Sequence, residues 1–169
     1  MSDLQLLARL KAEAVMQRHI TSLPNSIEAM RREHAAKGML NSGATLKKAL
    51  IICKTSTEEQ RDTVISEYRW AISQALLVSQ TWIEELILDA IKSLEPLHLE
   101  NISHIKKICE SINSVDLATS LISELKLTED AAANDIALAL RSNFAERRRG
   151  LVKQTLSFPI RLISRIFSA

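Results

Sequence analysis

Two carboxylate clusters, Glu58, Glu59 and Asp62 in one and Glu84, Glu85 and Asp89 in the other, are the residues best suited to proton chemistry. General acid–base catalysis needs paired groups whose pKa values are driven apart by burial or by a neighbour. On a helix, Glu85 and Asp89 stand four residues apart and share a face. They lie in an apolar stretch, however, and a buried acid needs a counter-charge. Lys47, Lys48 or Arg32 upstream could supply it, so a structural ion network with Glu85 paired is the expectation. The first cluster fits a helix start: Ser56 with Glu59, or Thr57 with Gln60, forms a capping box, and acids there complement the helix dipole.

Metal chemistry has little material. The chain holds four histidines (His19, His34, His98, His104) and a single Glu-x-x-His, Glu95–His98, interrupted by Pro96. A di-iron bundle needs that motif on each of two helices. Cys53 and Cys109 lie far apart with no CxxC pattern, which reads as two buried thiols in a reducing compartment. There is no phosphate-cradling glycine loop, HExxH or GxSxG. The expectation is a protein that is not an enzyme and carries no metal or cofactor.

The elements that would position these residues are helices. Three glycines and three prolines in 169 residues leave few turns for a sheet fold, and 4% aromatics is low for strands. The length suits one domain. Pro24 separates a helix over about 3–20 from a longer one containing AAKGMLNSGATL. In that helix Gly38 and Ser42 would line a face of small groups, with Gly43 on the adjoining face. Two mid-helix glycines cost about 1 kcal/mol each against alanine, so Gly38, Ser42 and Gly43 are expected to form a close helix-packing groove. A long helix, 57–94, follows the capping box; it is apolar nearly all round from Ile72 to Leu94 and therefore belongs at the centre of a bundle. Shorter helices around 98–113 and 115–127 meet a break at Asn113–Ser114. Thr128 would then cap the next one. The expected fold is an all-α, single-domain bundle of about six or seven helices. Residues 1–157 make the bundle, and 158–169 a basic amphipathic C-terminal helix.

Charge is unevenly distributed. Residues 57–95 carry eight acidic and three basic side chains, whereas 147–169 carry six basic and no acidic ones. In RRRGLVKQTLSFPIRLISRIFSA, Ile160, Ile163 and Phe167 fall on an apolar arc, while Arg161 and Arg165 lie opposite. Arg147, Arg148, Arg149 and Lys153 precede them. Such a helix could pack on its own bundle, dock into a protein partner or a second copy, or lie on an anionic membrane surface. Nucleic acid is disfavoured: the second helix of a helix-turn-helix reading, after Thr128, would present Glu129, Asp130 and Asp135 to phosphates. The first twenty residues lack a secretory signal, and no apolar run reaches the roughly 18–20 residues of a spanning helix. A cytoplasmic address, possible also at the membrane periphery, is expected. The sequence points to a non-enzymatic interaction or accessory protein in a homo-oligomer or larger protein assembly, docking through its basic C-terminal helix. The alternative is a peripheral membrane-binding protein using that same helix.

Overall fold

The computed structural model describes residues 3–75 and 78–166, with side chains described as far as Arg149. Among these described residues five helices follow one another: α1 (Asp3–Ala36), α2 (Gly43–Gln74), α3 (Gln80–Lys92), α4 (Glu95–Ser111) and α5 (Val115–Ile166). No strand occurs among the described residues. The all-α class is as expected, but the helices are fewer and longer than six or seven.

The differences have local causes. Helix α1 runs straight through Pro24. A proline there removes one intrahelical donor, but Pro24 is exposed, so the carbonyl left without a partner is close to water. The chain turns instead at Lys37–Ser42. Gly38 takes φ +68°, and its backbone N–H and that of Met39 close the end of α1 onto Ala35 and His34. A residue with a Cβ is strained in this left-handed conformation, so the glycine ends α1. The Ser42 and Thr45 hydroxyls both donate to the Met39 carbonyl, at 2.6 and 2.9 Å. Buried His34 stands 2.9 Å from Thr45 Oγ1 and ties the two helices together.

Ser56 and Thr57 therefore lie inside α2, and the capping box does not form. The expected 57–94 helix is broken as well. Ala75 is extended, and Ser79 starts α3 by accepting a hydrogen bond from the Trp82 backbone at 3.1 Å. The break at Asn113–Ser114 is real: Asn113 adopts φ 54°, a conformation asparagine tolerates better than most residues. Thr128 caps nothing, because its hydroxyl donates back to the Glu124 carbonyl within a continuous α5. That continuity also removes the helix-turn-helix reading.

Helices α1 and α2 are antiparallel, as the His34–Thr45 contact and the Lys11–Glu67 ion pair at opposite ends require. Helix α5 runs back along α3 and α4, since Arg141 pairs with Glu84 and Glu129 with His98. The core has two parts. One gathers Ala8, Tyr68, Ile72, Leu86, Ile136 and Leu140 around α3; the other joins Leu23, Ile27, Leu46, Cys53, Ile105 and Leu125 at the α1–α2 turn end. Buried Thr57, Gln60 and Asn101 include side chains that bond across helices. Gln60 Nε2 donates to the Ala12 carbonyl at 3.0 Å, and Asn101 Nδ2 to Thr57 Oγ1 at 3.1 Å. Such pairs fix the register of α1 and α4 against α2, because any slip would bury unpaired amides.

Candidate docking surface

The carboxylates resolve into structural pairs. Asp89 accepts a hydrogen bond from Tyr68 Oη at 2.9 Å and lies 3.6 Å from Arg9 Nη1. Its partners are thus Arg9 of α1 and Tyr68 of α2, not Lys47, Lys48 or Arg32. Burial, and then the bond to Asp89, pushes the Tyr68 phenol pKa upward. Glu85 is exposed and has no partner among the described residues, contrary to the expected ion pair. Its neighbour Glu84 pairs with Arg141 at 2.8 Å, which lowers its pKa. Each histidine has its own separate neighbour: His19 meets Glu59, His34 Thr45, His98 Glu129 and His104 Glu100. Among the described residues no three His, Cys, Asp or Glu side chains converge to hold a metal ion. Cys53 and Cys109 are free and buried, and burial raises the Cys53 thiol to about 12.

The glycine groove does not form. Gly38 and Ser42 lie in the α1–α2 turn and Gly43 opens α2; a Cβ added at either glycine would meet nothing within 4 Å. The small residues serve the turn rather than a helix crossing. Gly43 instead borders a shallow groove of about 390 Å³ between α2 and α5, floored by Leu46, Leu50, Leu117 and Leu121. Lys54 on its rim is already held by Glu124 at 2.7 Å.

The surface that stands out is where α5 leaves the bundle. With a rise of about 1.5 Å per residue, the 34 residues of α1 and the 32 of α2 span about 51 and 48 Å, while the 52 of α5 span about 78 Å. Phe144 is the last described α5 side chain buried in the core. One turn later, Arg147 donates to the carbonyls of Ser73 and Ala75, closing the C-terminal end of α2. The first turns of α1 reach this same end, where Lys11 sits 4.3 Å from the Trp70 ring. Residues 148–166, about 28 Å of helix, therefore continue past the level at which α2 ends.

Of the basic residues singled out in the sequence, Arg147 belongs to the fold. Arg148 is exposed, 5.8 Å from the Phe144 ring, and Arg149 is exposed. The side chains of Lys153, Ile160, Arg161, Ile163 and Arg165, and all of Phe167, lie outside the described residues. The α5 helix shows no interruption at the expected 157/158 boundary. The sequence reading missed an exposed leucine patch near the start of α1: Leu6, Leu7 and Leu10 are 37, 42 and 50% exposed. Its signal was present in DLQLLARL, which holds more leucines than one helix face can bury.

Fold and surface together define an all-α helical bundle with one helix running on beyond it. No family model, no curated protein and no solved structure matches the chain. Among the described residues, no helix is long and apolar enough to cross a membrane.

Proposed function

We propose that this chain is a non-enzymatic interaction or accessory protein, acting in a homo-oligomer or larger assembly, in which the bundle carries a docking helix. One observation supports this reading most: α5 continues for 19 residues beyond Arg147, which caps the end of α2. Those residues are rich in large apolar groups. Each such side chain gains about 1.5–3 kcal/mol when fully buried, so covering them on another surface is a substantial driving force. The titratable clusters that could have supported catalysis are distributed as separate pairs across helix junctions.

Removing residues 150–169 tests the proposal. The truncated protein is expected to keep its helical spectrum and lose the association that the full-length chain shows in light scattering or on a partner. Retention of the same association by the truncated protein would contradict it.

A further inference from the structure

Helices α2 and α5 run side by side in the same direction, linked by Lys54–Glu124 at 2.7 Å and Arg61–Asp135 at 2.9 Å. Of the apolar lining of the groove between them, Leu46 and Leu50 are buried, whereas Ile51 and Leu117 are 44 and 46% exposed. At about 100° per residue, Lys47, Ile51, Lys54 and Glu58 fall within an arc of about 60° on α2. Lys54 is held by Glu124. Lys47 and Glu58 are exposed, with no ion-pair or hydrogen-bond partner among the described residues. Along α2 the charge also changes sign. Residues 43–55 hold three lysines and no acid, whereas 56–67 hold four acids and one arginine.

We propose that a second copy of this chain docks on this face about a two-fold axis, with the two α2 helices antiparallel. The proposal rests on the homo-oligomer reading above and adds a contact on the bundle itself to the docking helix. In a two-fold contact, if residue i meets residue j, then j also meets i. An axis level with the midpoint of Lys47 and Glu58 sets Lys47 of each copy against Glu58 of the other, and brings Ile51 of both copies beside the axis. Covering Ile51 and Leu117 drives the association, and the charges fix its register. The charge pattern selects this occupant. A membrane surface or a nucleic acid is negative throughout and would meet Glu58 as well as Lys47. A face with one positive and one negative end is complemented by its own copy turned through half a revolution.

The test is sedimentation velocity of the full-length chain as wild type, Lys47→Glu, Glu58→Lys, the double variant, and an equimolar mixture of the two single variants. Each single variant turns two attractions into two repulsions, and each such contact at an exposed site is worth about two- to threefold in a binding constant. Either single variant should therefore raise the dimer dissociation constant on the order of thirtyfold, and the double variant should return it to within about threefold of wild type. The mixture should associate where neither single variant does alone, because a dimer of the two restores both opposite-charge pairs. Both positions are exposed, so every sample should show the same helical spectrum. A wild type that sediments as a monomer, single variants that associate as tightly as wild type, or a mixture that gains nothing would each overturn the inference. An association that vanishes on removal of residues 150–169 but ignores both charge reversals leaves the docking helix standing and this contact refuted. One that answers to the reversals and is untouched by the truncation does the opposite. Where both contacts form, truncation takes the assembly down to a dimer, and the reversals take that dimer to a monomer.

Discussion

Leucine at position 43 and alanine at position 38 separate the observed α1–α2 turn from a continuous, tightly packed helix. Gly38 is held at φ +68°, a conformation that costs a residue with a Cβ about 1–2 kcal/mol. A domain of this size loses about 2–4 °C in melting temperature per kcal/mol, so Gly38→Ala should melt about 2–8 °C lower. Gly43 has open space around its Cβ position at the start of α2. Gly43→Leu should therefore change stability by no more than about 0.5 kcal/mol, as at other unconstrained surface sites. Thermal and urea melts followed by circular dichroism measure both. A harmless Gly38→Ala with a Gly43→Leu loss of about 1–3 kcal/mol, the range for overpacking, would refute the turn and restore the packing groove.

Other outcomes follow from the core. Ile136 is fully buried on α5, and Ile136→Ala should cost about 2–5 kcal/mol in a urea melt, showing that this part of α5 belongs to the fold. Burial raises the Cys53 thiol from 9.0 to about 12. The group is neutral in the fold and titrates first in the unfolded chain, so its contribution is complete below about pH 9 and is lost as pH rises toward 12. Each pH unit in that window should remove about 1.4 kcal/mol, and Cys53→Ala should show a correspondingly shallower alkaline decline. Tyr68→Phe removes a hydrogen bond to the Asp89 carboxylate, worth about 1.5–3 kcal/mol, measurable by denaturation near neutral pH.

What was legible in the sequence was what composition controls. Scarce glycine and proline left helices as the available element, and Asn113–Ser114 marked a turn because asparagine there adopts positive φ. Boundaries set by a competition between local signals were harder. Pro24 and Thr128 resemble a stop and a start, yet an exposed proline costs α1 little and Thr128 bonds back within its own helix. KGMLNSG has helix formers around its glycines, and the turn is fixed by contacts made across it, above all His34 with Thr45. The end of α2 at Ser73 and Ala75 rests partly on Arg147, more than seventy residues away, which no local window contains. The basic segment was visible from charge alone. Its placement beyond the bundle depended on the lengths of α1, α2 and α5 and on how they register.

The most direct measurement is the thermal melt of residues 1–149 beside that of the full-length chain. With Phe144 and Arg147 retained, the core and the closure of α2 remain intact. The two proteins are expected to melt within a few degrees of one another, the shift left by about 1 kcal/mol or less. A truncated protein that melts far lower, or aggregates as soon as it is made, would mean that residues 150–169 complete the core and are not a docking helix.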